Sequence, residues 1–413
     1  MVTQYDVFEY LYKKGIPLTA LDVAKAFKKS LASYQTIYNL LVKLTEQGFL
    51  AKDKHGFMAI KSRRNDIAYN IIKYCLSNQI NYNDLLDEKL AAFISKAFLK
   101  KRFTADDFSI GIKRFMKNVE ILAKCGLLII LSRKPFEATI PYNSFLGDLI
   151  TYFGHKSLVA KYKEDEYLNE IKRELKKFHN LVRRNLQKYQ EISKDYEIQF
   201  IHHSLSIEGN PLTLPETIKL LKNHIVPKDL DLESVQEVQN YQKAIAKMIT
   251  DAEEGTPLNK GAILNYHYLA MQHRPEIAGK IRKRAVHIKG NPDYKVAKVG
   301  EIEQRLANLI EEYGAFTSKK RHTLKDILEF AAHSHNEFQH IHPFEDGNSR
   351  TTRLITFHLL RTQNIPIFDI PLGLLEGYIS STKGAKKRDD KKLNQLLQLI
   401  ILSNLKAINE KLT

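Results

Sequence analysis

The chain has 413 residues, 43% apolar and 27% charged, long enough for two or three domains with real cores. No run of about 18 apolar residues appears, residues 1–10 lack the basic-then-apolar order of a secretion signal, and there are only two cysteines, Cys75 and Cys125. A membrane span, an export signal and a disulfide framework are therefore not expected, and the reading is a cytoplasmic protein with no membrane association.

The net charge is +17, and residues 1–150 hold 23 Lys and Arg against 14 Asp and Glu, while the rest of the chain holds 41 against 33. The excess is denser in the first third. It fits a polyanionic partner such as DNA, or equally a basic surface that serves solubility.

In chain order, residues 1–65 read as a winged helix-turn-helix. Thr19 is an N-cap candidate for a helix carrying Leu21, Val23, Ala24 and Phe27. Ser33 caps a second helix, in which Ile37, Leu40, Leu41 and Leu44 follow helical spacing and leave Tyr34, Gln35, Tyr38 and Lys43 outside. Gly48 ends it, and residues 49–60 read as a hairpin with Lys54 in a basic turn. In such modules the second helix enters the major groove and the wing touches backbone, so Tyr34, Gln35, Tyr38, Lys43 and Lys54 are candidate DNA contacts. The alternative is a winged helix that docks protein or dimerises. A second copy is expected over 66–145: Leu44 to Leu50 is echoed by Leu122 to Leu128, Thr104 marks a helix start, and residues 129–140 suit a second wing. Tyr162 to Tyr196 reads as one long charged helix.

In His203-Ser204-Leu205-Ser206-Ile207-Glu208-Gly209-Asn210, Ser204 and Glu208 lie one helical turn apart and Gly209 can close the helix. Residues 279–292, with a Gly-Asn-Pro turn at 290–292, read as a β-hairpin. Asp326 to His340 reads as a core helix, with His333, His335 and His340 as structural residues rather than metal ligands. Residues 383–392 form a charged connector before a final amphipathic helix.

The most informative stretch is His342-Pro-Phe-Glu-Asp-Gly-Asn-Ser-Arg-Thr-Thr-Arg353, placed just before an apolar helical pattern. A polar loop opening a helix suits an anion, because the first turn has unpaired N–H groups. Arg350 and Arg353 share a helix face and can grip one polyphosphate. Asp346 offers a hard oxygen for Mg²⁺, and His342 is a candidate base. Together these parts suit nucleotide chemistry.

The stretch resembles the signature of the Fic family, His-x-Phe-x-(Asp/Glu)-Gly-Asn-(Gly/Lys)-Arg-x-x-Arg, at every defined position but one: Ser349 stands where Gly or Lys is usual. Ser204 to Gly209 resembles the family's inhibitory motif, (Ser/Thr)-x-x-x-Glu-(Gly/Asn), and residues 279–292 resemble its flap, where Val286, His287 and Ile288 would receive the target as an added strand. The resemblance implies a helical Fic core with a β-hairpin flap over 160–380 and an inhibitory helix near 196–209; with the tandem winged-helix (α+β) units read before it and a helical extension at 381–413, a mainly α fold is expected. It also implies AMP transfer from ATP to a Ser, Thr or Tyr hydroxyl of a protein, possibly the chain itself, with Mg²⁺. His342 would be the base and Asp346 the metal ligand, Gly347, Asn348, Ser349, Arg350 and Arg353 would bind the nucleotide, and Glu208 would pair with Arg353 to block the γ-phosphate. Lysine in place of Ser349 marks a branch that transfers phosphate, and its absence argues against that branch. The alternatives are a hydrolase that removes AMP, with Glu208 activating water, and an ATP-sensing DNA-binding regulator. Whether the chain forms a homodimer is left open.

Overall fold

The computed structural model describes residues 2–27, 33–100, 102–155, 167–227, 230–288, 291, 293–319, 321–366, 369–385 and 387–413. The fold is mainly helical with two small antiparallel hairpins, and the chain divides into two compact units, Met1–Lys124 with Ser144–Ala160, and Cys125–Asn143 with Lys161–Thr413.

The first unit opens with α1 (Gln4–Lys14), α2 (Ala20–Ala26) and α3 (Tyr34–Glu46), then β1 (Leu50–Asp53) and β2 (Gly56–Ala59). Local chemistry sets the helix starts: Thr3 with Asp6, and Thr19 with Asp22, form reciprocal capping boxes, and the Ser33 side chain accepts from Thr36 N–H. Inward-facing Val7, Phe8, Leu11, Val23, Ile37, Leu41 and Leu44 are fully buried, and Phe8 meets Phe49 edge-on at 5.0 Å. Leu18 exchanges two backbone hydrogen bonds with Phe57, 3.0 and 2.8 Å, adding a third short chain segment beside β2. The hairpin turn is tied by Asp53, whose Oδ1 accepts from His55 and Gly56 N–H.

Next come α4 (Arg63–Ser77), α5 (Tyr82–Leu85), α6 (Glu88–Ala97), α7 (Ile112–Lys124) and α8 (Ser144–Tyr152). Buried Asn65 on α4 donates to the carbonyls of Gly48, Phe49 and Ile60, which fastens α4 to both ends of the first hairpin. Phe93, Phe103, Phe108 and Phe115 form an aromatic cluster. Thr104 caps only a short 3-10 turn, Ala105–Asp107, and α7 begins well after it. The hairpin expected to complete a second copy within 66–145 forms as β3 (Ile129–Arg133) and β4 (Phe136–Thr139), but it belongs to the second unit, where β3 lies against the last helix and Arg133 pairs with Glu410 at 2.6 Å.

The second unit continues with α9 (Leu168–Arg184), α10 (Leu186–Ser206), α11 (Leu214–Asn223), α12 (Leu232–Glu253), α13 (Lys260–Ala270), α14 (Ile302–Thr317), α15 (Leu324–Ile341), α16 (Asn348–Thr362), α17 (Leu372–Ser381) and α18 (Asp390–Leu412). The single long helix expected over 162–196 is two helices, because Asn185 leaves helical geometry (φ −137°, ψ 49°); residues 162–166 lie outside the described residues. Helix α16 is central: α12, α13 and α15 all pack on it, and its Leu354, Leu359 and Leu360 are fully buried. Helix α18 packs on α9 and α15 with Leu393, Ile401, Leu402, Leu405 and Ile408 fully buried, so residues 390–412 are part of this core rather than an extension from it.

No strand forms in the described part of residues 279–292, so the expected flap hairpin is absent there; the chain turns at Gly279, bends at Lys283 and Arg284 and is irregular up to Ile288. Its hydrogen bonds go elsewhere: Arg282 N–H donates to Pro343 O at 2.9 Å, and the Arg282 guanidinium is spent on the carbonyls of His342, Arg284 and Ala297. Of the expected Gly-Asn-Pro turn, Gly290 and Pro292 lie outside the described residues, while Asn291 N–H donates to Ile288 O.

Gly56 has φ +133°, and a Cβ there would stand 2.3 Å from Leu18 O, whereas Gly15 has φ +65° with open space around it. Gly56→Ala should therefore destabilise the first unit by roughly 2–3 kcal/mol and Gly15→Ala by about 1 kcal/mol. Urea unfolding of the two variants tests this, and equal losses would remove the close approach as the cause.

Candidate active site

The site is built at the junction of α15 and α16. His342 ends α15 in the left-handed region (φ 48°, ψ 60°), and Gly347 (φ 76°) turns the chain into α16. A side chain at Gly347 would collide with Met271 and His267, within 2.9–3.0 Å. Between them, Asn348 locks the loop: its Oδ1 accepts from Phe344 N–H at 2.9 Å and its Nδ2 donates to Phe344 O at 2.8 Å. The Asn348 side chain, expected to face a nucleotide, is thus committed to the loop itself. What remains toward a ligand are the backbone N–H groups of Asn348, Ser349 and Arg350, which have no acceptor within their own helix turn. Ser349 is half-buried.

His342 is buried, and its Nδ1 lies 3.1 Å from Gln339 O. A carbonyl only accepts, so Nδ1 carries the proton and Nε2 keeps its lone pair. Burial pushes the imidazole down to about 4, against the opposing pull of the Gln339 carbonyl, so the ring is neutral near pH 7. Arg282 fixes its backbone through a 2.7 Å bond to His342 O.

Asp346 has a side chain 47% exposed, more open than Glu208 or Glu237. Arg274 reaches its Oδ2 at 3.0 Å and Arg350 its Oδ1 at 3.2 Å. Burial of the group raises its proton affinity, but Arg350 and Arg274 outweigh this and hold it below the usual carboxylate range. No cluster of three or more His, Cys, Asp or Glu groups suited to a metal occurs among the described residues. Asp346, ionised and partly open, is a hard oxygen donor of the kind that could hold a Mg²⁺, with Arg274 and Arg350 now engaging its two oxygens.

Arg350 and Arg353, expected to form one clamp, are each held by a different acid. Arg350, 4% exposed, pairs with Glu237 of α12 as well as with Asp346. Arg353, 1% exposed, donates from Nε to Ser204 Oγ at 2.6 Å, and from Nη2 to Ser204 O and Glu208 Oε1, both at 3.1 Å. The Ser204 hydroxyl in turn donates a hydrogen bond to Tyr241 Oη at 3.0 Å. Glu208 sits in the turn that closes α10, with Gly209 at φ +98° behind it, and its Oε2 accepts from Lys383 Nζ at 2.8 Å. Burial would raise the Glu208 carboxyl, yet Arg353 and Lys383 hold it below its ordinary range.

Glu237, Tyr241, His267, Arg274 and Lys383 carried no local signal in the sequence, since each meets the motif only through tertiary packing. His267 stacks on Phe344 (3.7 Å, 8°), accepts at Nδ1 from Gly279 N–H and donates at Nε2 to Asp346 O, both at 2.9 Å. Burial pushes it down to about 4 as well. Val286 and Ile288 are half-buried and His287 is exposed. Of the histidines on α15, His335 is buried beside Tyr378 Oη at 2.7 Å, His340 bonds Lys295 O at 2.9 Å, and His333 meets Glu312 at 3.0 Å. In the first unit, Tyr34, Gln35, Lys43 and Lys54 are exposed and Tyr38 is half-buried; Tyr34 stacks on Tyr38, and Lys52 lies over the Tyr38 ring at 5.8 Å.

These buried groups make stability depend on pH in one direction. His342 and His267 are depressed from 6.5 to about 4, and Glu208 and Asp346 are also depressed, so protonation of each favours the unfolded chain. The stability they contribute should be whole above about pH 6.5 and fall steadily as pH drops through 4. Urea midpoints between pH 8 and 4 check this; a flat profile below 6.5 would contradict it.

Residues 257–360 match the family model described as Fic/DOC family. The chain is 26% identical over 197 residues to the proteins named protein adenylyltransferase Fic of Drosophila persimilis and of Drosophila melanogaster. Those alignments cover 48% of this chain and 37% and 39% of the relatives, so the match spans well under half of their length. Among solved structures, a Fic domain containing signaling protein from Bacteroides thetaiotaomicron superposes with a TM-score of 0.50 at 20% identity, over 59% of this chain and 97% of that one. No helix among the described residues is long and apolar enough to cross a membrane. The segment around His342 is thus similar in sequence to the Fic/DOC family, and the helical core that holds it has the Fic fold.

Proposed function

We propose that the second unit transfers AMP from ATP to a hydroxyl of a protein, either this chain or another, and that Glu208 keeps it inactive at rest. The observation that carries this reading is the convergence on the start of α16 of a neutral histidine base, an open carboxylate and two buried arginines. The name protein adenylyltransferase on the Drosophila relatives supports the same reaction class.

In this mechanism His342 Nε2 takes the proton of the target hydroxyl as its oxygen attacks the α-phosphorus. The bond from that phosphorus to the bridging oxygen breaks, and pyrophosphate leaves. Arg350 and Arg353, once freed from Glu237, Asp346 and Glu208, take up the charge of the leaving group. The first-turn N–H groups of α16 face the phosphates. Asp346 is the carboxylate that would hold Mg²⁺, which when bound offsets phosphate charge. Residues 284–288, without a strand partner among the described residues, are where we place the backbone of the target.

Removal of AMP by water activated at Glu208 fits the resting arrangement less well. Arg353 and Lys383 hold that carboxylate below its usual range, which makes it a weak proton acceptor.

For the first unit we infer a winged helix whose α3 meets DNA. The supporting observation is the two-sidedness of α3: Ile37, Leu41 and Leu44 are fully buried while Tyr34, Gln35 and Lys43 face solvent, with Lys54 at the hairpin tip.

The test uses ATP tagged on the α-phosphate, with a γ-tagged control. Glu208→Gly should raise α-labelling of the chain or an added target at least about tenfold, and His342→Ala in that background should lower it by a hundredfold or more, about the usual weight of a general base. Duplex DNA binding by wild type should weaken with salt and with Lys43→Glu plus Lys54→Glu. DNA binding without any α-label would replace enzyme with ATP-sensing regulator.

A further inference from the structure

We propose that Lys383 is a ligand of the terminal phosphate of the nucleotide, covered by Glu208 in the resting chain; this rests on the AMP-transfer reading above. The Glu208 carboxylate lies between two cations, Oε1 at 3.1 Å from Arg353 Nη2 and Oε2 at 2.8 Å from Lys383 Nζ. A carboxylate held so is the local stand-in for two oxygens of a phosphate. When Glu208 leaves, the two positive charges it joins lose their common partner, and a terminal phosphate is the group of the nucleotide with the charge to match both.

The lysine is placed by a built turn rather than by a loose tail. Gly384 N–H donates to Ile379 O at 2.8 Å, Thr382 N–H to the same oxygen at 3.2 Å, and Ala385 N–H to Thr382 O at 3.0 Å. From the facing segment, Asn291 Nδ2 donates to Lys383 O at 3.0 Å and to Ala385 O at 2.9 Å. A Cβ at Gly384 would stand 2.9 Å from Ile379 O, so the turn is as tight as its backbone permits. The Lys383 side chain is 24% exposed, which leaves its ammonium a route to a ligand. Beside it, Arg353 is 1% exposed, a buried cation whose charge must be met by Glu208 or by a ligand in its place.

Lys383 also bonds Ile207 O at 3.3 Å, so its removal from the resting chain would mix two effects, loss of a ligand and loss of a hold on Glu208. The experiment therefore works in full-length Glu208→Gly with His342→Ala, in which neither inhibition nor turnover intrudes. Calorimetric titration with Mg-ATP and Mg-ADP compares that protein with the same protein carrying Lys383→Gln or Lys383→Arg. The expected result for Lys383→Gln is ATP binding weakened about tenfold or more with ADP within about twofold, as for loss of one charge-assisted contact. Lys383→Arg should retain most of the ATP affinity. ATP affinity unchanged by Lys383→Gln, or ATP and ADP weakened alike, would overturn the assignment while leaving the nucleotide site intact. No ATP binding by the parent Glu208→Gly protein would overturn the nucleotide reading and this assignment with it.

Discussion

Two arginines buried on one helix are the constraint around which the second unit is arranged. A guanidinium out of water is tolerated only when it is paired and hydrogen-bonded. Arg353 is 1% exposed and Arg350 4%, and both face the start of α16. The fold answers with acids from distant segments, Glu208 after α10 and Glu237 on α12, and with Asp346 from the loop itself. The same need for negative charge that neutralises the arginines at rest is what a polyphosphate would meet in their place. On the proposed reading, binding and inhibition would be one electrostatic problem with two solutions.

The remaining parts hold the geometry of that problem constant. Arg282 and His267 act from outside the loop, one on His342 O, the other on Asp346 O. Tyr241 and Ser204 form a relay beneath Arg353, so that α10, which bears Ser204, and α12, which bears Tyr241, are both tied to one guanidinium. Stacking of His267 on Phe344 closes the apolar side of the loop and shuts water away from the neutral imidazoles.

Much of the local structure was legible in the residues, and the reasons are local. Thr19 and Ser33 cap helices because a hydroxyl can satisfy first-turn N–H groups, and residues 50–59 pair because Asp53 can tie a tight turn. The loop from His342 to Arg353 was legible because its whole chemistry lies within twelve residues. What was not legible depended on partners far along the chain. Asn185 breaks a helix that its charged, amphipathic neighbours would continue. Residues 279–288 alternate and turn like a hairpin, yet Pro343 and His342 take the hydrogen bonds that a second strand would need. Helix α18 looked like an appendage because amphipathic spacing does not say what covers the apolar face. Glu237, Arg274 and Lys383 are ordinary charged residues until packing brings them to the motif.

The amide of Asn348 has a consequence for the lifetime of the protein. It holds Phe344 by both of its ends, one accepting and one donating, as a peptide group holds its neighbour across a sheet. Hydrolysis of that amide to an acid would keep the acceptor but turn the donor into a second oxygen, set 2.8 Å from a carbonyl oxygen with nothing to share. The loop would then repel itself at the point that now closes it. Asparagine is among the residues that heat degrades first. Chemical ageing at one side chain would therefore open the turn into α16 while leaving every charged group of the site in the chain.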